Sequence, residues 1–129
     1  MAACAPPAAP PPPGPPPSPP APTATAGGGA ADRAGILRLE QEARALVRAD
    51  GCIDSGQCRS APVGSKACGG PRFWLPYCPL TTDVPALMAR LTALQAAEQQ
   101  FNKTYGIISD CSYVTEPALS VVGGSCRVR

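Results

Sequence analysis

Histidine is absent from all 129 residues. That removes the one side chain whose ordinary proton affinity lies near neutral pH and the commonest metal ligand, so histidine-based nucleophilic and metal chemistry is excluded. No two cysteines stand as Cys-x-x-Cys, which removes the usual thiol redox motif and the closely spaced ligand pair of a structural zinc site. There is no Ser-x-x-Lys signature and no Gly-x-x-x-x-Gly-Lys phosphate loop. Apolar runs stay well below the length of a membrane-spanning helix. Aromatic residues make up 5% of the chain and charged residues 16%, and the net charge is only +2. No nucleic-acid partner is therefore expected, and no metal or cofactor.

What is abundant is proline and cysteine. Residues 5 to 29 hold 12 of the 18 prolines and no charged side chain. Proline lacks the amide hydrogen that helices and central strands use, so Pro10 to Pro13 and Pro15 to Pro17 favour extended polyproline II backbone. Several PxxP matches occur in so dense a run, but no arginine or lysine flanks them. Beyond the tract, about a hundred residues remain, enough for one small domain with a modest core. It contains Cys52, Cys58, Cys68, Cys78, Cys111 and Cys126. Six is an even number, and the wide spacings favour three disulfides over zinc; fifteen pairings remain open.

The N-terminal Met1-Ala2-Ala3-Cys4, followed by the uncharged tract, resembles the end of a bacterial lipoprotein signal, in which a Leu-Ala-Ala-Cys-like box precedes the cysteine that takes the lipid. The resemblance implies a remnant signal and lipidation site at 1–4, a disordered Pro/Ala/Gly-rich linker at 5–30, and a cysteine-rich domain at 31–129. It further implies a lipid-anchored chain on the periplasmic or extracellular face of the cell envelope. In a Gram-negative cell, Ala5 after the cysteine would direct it to the outer membrane. Within the domain, Cys52-x5-Cys58, Lys66-Ala67-Cys68-Gly69-Gly70-Pro71, and Gly106 followed by Ser109-Asp110-Cys111-Ser112 are similar to small secreted bacterial proteins of unassigned activity. That likeness implies a shared fold and carries no catalytic residue.

Periodicity predicts a first helix over about Asp32 to Asp50, with Ile36, Leu39, Ala43, Leu46 and Val47 on one face and Gly51 as its stop. A second helix is predicted over about Asp83 to Tyr105. Asp83 or Thr82 caps it, Pro85 sits in the first turn, and Leu87, Leu91, Leu94, Phe101 and Tyr105 form the buried stripe. Glu98 falls in that stripe, where it is expected to reach an arginine or solvent. Asn102-Lys103-Thr104 matches a glycosylation sequon, but a helix disfavours its use. Strands are expected over 58–66, 72–77 and 107–115, and Gly123-Gly124 between 119–122 and 125–128 is a hairpin signal. The fold expected is α+β: two helices packed on a small antiparallel sheet, stapled by disulfides.

One stretch concentrates aromatic side chains: Arg72, Phe73, Trp74, Leu75 and Tyr77, between Cys68 and Cys78. Prolines and flanking cysteines suggest a candidate binding loop over 72–79, held in one conformation, although packing of these aromatics on the second helix, with Trp74 or Tyr77 partly exposed, is the reading that a small core favours. The functional expectation is a binding or interaction domain without catalysis, anchored by lipid and facing an envelope protein or ligand. An inhibitor of an extracellular protease or hydrolase acting through 72–79 is the alternative. A small envelope enzyme is the third class, with no residue pattern to nominate its chemistry.

Overall fold

The computed structural model describes residues 3–16 and 26–129. Residues 3–16 are exposed and carry neither helix nor strand; Pro17, and the tract as far as residue 25, lie outside the described residues. The rest folds as α+β, with two helices and two small antiparallel sheets tied by three disulfides.

Helix α1 spans Ala26–Leu46, beginning within the stretch expected as linker and ending four residues before Asp50. Both shifts have a tertiary cause. At the start, the Tyr105 hydroxyl donates to Asp32 Oδ2 at 2.7 Å. The absence of a side chain at Gly29 lets the Tyr105 ring approach, since a Cβ there would lie 3.5 Å from Cε1. At the end, Arg48 is taken out of the helical ladder by Thr82, whose hydroxyl receives the Arg48 N–H at 3.0 Å and donates to its carbonyl at 3.1 Å. That carbonyl also accepts from Cys78 N at 2.7 Å, and the Ala49 carbonyl accepts from Cys126 N at 2.8 Å. These partners replace the helical bonds that residues 47–50 would otherwise make.

Helix α2, Val84–Thr104, matches its predicted span. Asp83 accepts from Ala86 N at 3.2 Å, satisfying one orphan amide, and Pro85 occupies the first turn where no amide hydrogen is needed. Leu87, Leu91 and Leu94 are buried on one face, and each contributes roughly 1.5–3 kcal/mol through removal from water. The helices run antiparallel: Tyr105 meets Asp32 at one end, and Arg90 meets Glu42 at 3.3 Å further along.

Strands β1, Arg59–Val63, and β2, Phe73–Tyr77, pair antiparallel from Arg59 opposite Tyr77 to Val63 opposite Phe73. Ala61, Val63, Phe73, Leu75 and Tyr77 join Ala43 and the α2 leucines in the main core. The alternate residues, including Ser60 and Trp74, fall on the other face because successive strand side chains alternate. The second sheet pairs β3, Leu119–Val122, with β4, Ser125–Val128. Gly123 and Gly124 turn between them with φ of 59° and 80°, the positive pair that a two-residue type I′ hairpin requires.

The disulfides join Cys52 to Cys78, Cys58 to Cys126, and Cys68 to Cys111. The first two are buried and form a second core cluster with Leu119 and Val121. Their sequence separations, and that of the third, are 26, 68 and 43 residues. On a chain-entropy account, loops of this size restrict the unfolded chain by about 3.5 to 4.4 kcal/mol each, short of additivity because the loops overlap.

Residues 107–115 do not form the expected strand. Their anchors come instead from side chains and one backbone amide of residues 66–74. Lys66 Nζ pairs with Asp110 and donates to the Ser112 carbonyl at 2.7 Å. Ser109 Oγ accepts from Cys68 N at 3.2 Å, Cys111 is bonded to Cys68, and the Val114 carbonyl accepts from Trp74 Nε1 at 2.8 Å. Continuing past these, Glu116 accepts from Ser60 Oγ at 2.6 Å. The segment is thus a strap across the outer face of the β1–β2 sheet.

Candidate functional site

The stretch expected as a binding loop is mostly strand β2, and its flanking cysteines pair elsewhere, Cys68 with Cys111 and Cys78 with Cys52. Alternation along the strand divides its side chains. Phe73 and Leu75 pack against the core and Tyr77 is buried within it, while Trp74 is half-buried and tied by its indole to the strap. Arg44 and Arg72 place their guanidinium carbons 4.9 Å and 5.4 Å from the Phe73 ring centre, distances at which the ring's negative face attracts a cation. A free, disulfide-closed recognition loop, which the inhibitor alternative requires, is not the shape these residues take.

Arg72 joins the helices to the sheet. Its Nε donates to Glu98 Oε1 at 2.8 Å, its Nη2 lies 2.7 Å from the same oxygen, and Nη2 also donates to Glu40 of α1. The second Glu98 oxygen accepts from Ser65 N. Glu98 is only 7% exposed, so a carboxylate here depends on these donors. Gly64 makes the approach possible: at φ 77°, a Cβ would collide with the Glu98 carboxylate and lie 2.6 Å from Arg72 Nε. Burial raises the proton affinity of Glu40, but the hydrogen bond and charge of Arg72, with Arg44 behind it, outweigh burial and lower the Glu40 pKa below its ordinary value. For Arg72, burial disfavours the cation, and hydrogen bonds to Glu98 and Glu40 more than reverse that, raising its pKa. With both oxygens engaged by protein donors, Glu98 serves as a structural clamp, and the expectation that it reaches an arginine matches the geometry.

Two further groups fall outside any reactive arrangement. The Asn102 side-chain amide donates to the Ser65 carbonyl at 3.0 Å, which occupies the nitrogen of the sequon. Lys66 lowers the Asp110 pKa chiefly through its hydrogen bond, with Ser112 adding to it; the pair anchors the strap.

Sequence reasoning missed a groove of ≈ 600 Å³ between α1 and α2. It is lined by the apolar Ala31, Gly35, Ile36, Leu39, Ala97 and Phe101 and by the polar Arg38, Glu42, Arg90 and Gln100. Ile36 and Leu39, on the apolar face that periodicity gives α1, pack against the core while half-buried, and Phe101, expected in the buried stripe of α2, is also only half-buried. The signal was the composition of the helices: alanines and glycine line the groove where larger side chains would fill the gap. Glu42 and Arg90 pair at 3.3 Å, whereas Arg38 has no carboxylate partner among the described residues. The groove is therefore lined largely by apolar residues, with an unpaired cation among them, and it lies within the size range of ligand sites.

Cys4 is exposed and free, apart from the six bonded cysteines. Among the described residues no helix is long and apolar enough to cross a membrane. No protein-family profile, curated protein or solved structure matches the chain.

Proposed function

We propose that the protein is a binding domain of the bacterial cell envelope, tethered by a lipid on Cys4 and carrying no catalysis of its own. The observation that supports it most is the set of three disulfides, two of them buried in the core. Disulfides persist where the surroundings are oxidising, and a small core gains most from them. Cys4 lies in an exposed stretch without regular structure, free of the staples, where a modifying enzyme has access. Even one acyl chain gives measurable membrane affinity and two give firm anchoring, at about 0.8 kcal/mol per buried methylene.

The α1–α2 groove is the surface we assign to binding. Its apolar lining and the Arg38 guanidinium suit a segment of an envelope protein that presents aliphatic side chains beside a carboxylate. The test is fractionation of cells expressing the full chain or Cys4→Ser, with detergent phase partitioning. The full chain is expected in the membrane and detergent phases and Cys4→Ser in the soluble phase. Equal distribution of the two would refute the tether. Separately, Leu39→Glu with Arg38→Glu should abolish crosslinking to the envelope partner without altering membrane partitioning.

A further inference from the structure

The sulfur atoms of Cys52, Cys58 and Cys126 all lie within 4.8 Å of one another, and Cys78 is bonded to Cys52. The four residues are between 0% and 5% exposed. In sequence they are far apart, which is why spacing favours disulfides over zinc; the fold gathers them from four separate segments into one cluster. Three of the four backbones are also held without the disulfides. Cys78 N and Cys126 N donate to the carbonyls of Arg48 and Ala49 at 2.7 and 2.8 Å, and Cys58 N donates to Ser55 at 3.2 Å. Asp54 and Gln57 close a capping box around the turn that precedes Cys58.

A tetrathiolate zinc site places sulfur at about 2.3 Å from the metal, which sets a tetrahedral edge of about 3.8 Å. Cys52 stands within 4.8 Å of both sulfurs of the neighbouring disulfide, and Cys78 adjoins it through their bond, so opening the two S–S bonds frees four thiols within one buried cluster. From this geometry we infer that the chain, once reduced, holds a single Zn²⁺ through Cys52, Cys58, Cys78 and Cys126. A phosphine reductant supplies the electrons: with each disulfide it takes up the oxygen of one water, leaves as its oxide, and two thiols form. Zinc then displaces the four thiol protons. The resulting site carries two net negative charges, and three arginines adjoin it along the backbone. Arg59 donates to the Gly56 and Cys58 carbonyls at 2.7 and 2.9 Å, Arg127 follows Cys126, and Arg48 bonds to Cys78 through its carbonyl. Cys68 and Cys111 are exposed, bonded to each other, and beside Lys66 and Asp110; they stand outside the set. Zinc and the two buried disulfides are alternative occupants of one site, whichever compartment the mature chain occupies.

The experiment uses the full chain, reduced anaerobically with a phosphine and titrated with Zn²⁺ or, as a spectroscopic probe, Co²⁺. One metal per chain is expected, with the visible absorption of tetrahedral Co²⁺ thiolate. Alkylation followed by peptide mass mapping should modify Cys4, Cys68 and Cys111 and spare the other four only when metal is present. The double variant Cys68→Ser/Cys111→Ser should keep the stoichiometry and spectrum, and Cys58→Ser/Cys126→Ser should lose the four-sulfur spectrum. Failure of the reduced chain to bind metal, protection of Cys68 and Cys111, or an unchanged spectrum in the Cys58/Cys126 variant would each overturn the inference. None of these outcomes depends on lipidation.

Discussion

Replacing Arg72 with methionine removes the cation that faces Glu98 while retaining much of its aliphatic stem. Glu98 then sits 7% exposed with Ser65 N as its remaining donor. Stripping one partner from a fully buried ion pair costs about 3–5 kcal/mol. The Arg72 side chain is 36% exposed, so water screens part of the interaction, and about 2–3 kcal/mol is the expected loss. In a domain of about a hundred residues that corresponds to a fall in melting temperature of roughly 10–20 °C. The assay is urea unfolding near neutral pH with disulfides intact, followed by circular dichroism. A Glu98→Gln companion separates charge from hydrogen bonding. If glutamine directs its oxygen at Ser65 N its amide faces Arg72, and the reverse orientation sets amide against amide, so a loss of about 1–3 kcal/mol is expected. In the double variant the losses should be clearly less than additive. An Arg72→Met loss below about 0.5 kcal/mol, the scale of ordinary surface changes, would refute the claim that this cluster clamps helix to sheet.

Acid should weaken the same cluster. The Glu40 pKa is lower folded than its ordinary 4.5, so its contribution is complete above that value and is lost as pH falls through the lower folded pKa. Denaturant midpoints measured across that range should drop less in Glu40→Gln than in the parent. Gly64→Ala should destabilise by more than the roughly 1 kcal/mol typical of a point substitution, because φ is 77° and the new Cβ meets Glu98 and Arg72; thermal melting checks it. Selective reduction of the exposed Cys68–Cys111 bond should loosen the strap and red-shift the emission of Trp74, the only tryptophan. An unchanged spectrum would mean that the strap is held by its hydrogen bonds alone. Leu94→Ala, at a site with 0% exposure, should cost about 2–5 kcal/mol in denaturant titration.

Helix α2 and the β3–β4 hairpin were legible because local chemistry and tertiary demand agree there: Asp83 and Pro85 start the helix, Leu87 to Leu94 form its face, and Gly123-Gly124 supplies the turn. The ends of α1 were not, because they are decided by distant residues. Tyr105 docks against Gly29 and Asp32 in a stretch whose glycines and alanines carry a breaker-like composition, and Thr82 unwinds Arg48. Residues 107–115 have the β-branched and aromatic character of a strand, but Lys66, Cys68 and Trp74 anchor them as a strap. Such contacts leave no periodic trace. The disulfide pairings were among fifteen possibilities that no spacing selects. The groove stayed hidden for a related reason: Ile36, Leu39 and Phe101 have helical periodicity whether the space beside them is filled or open.

The proposed tether and the oxidised state of the six domain cysteines are tested most directly by the intact mass of the chain from the native membrane fraction, before and after reduction and alkylation. The account predicts a chain that begins at an acylated Cys4 and yields six alkylatable thiols only after reduction. An unacylated chain whose six domain cysteines alkylate without reduction would contradict both the tether and the envelope assignment.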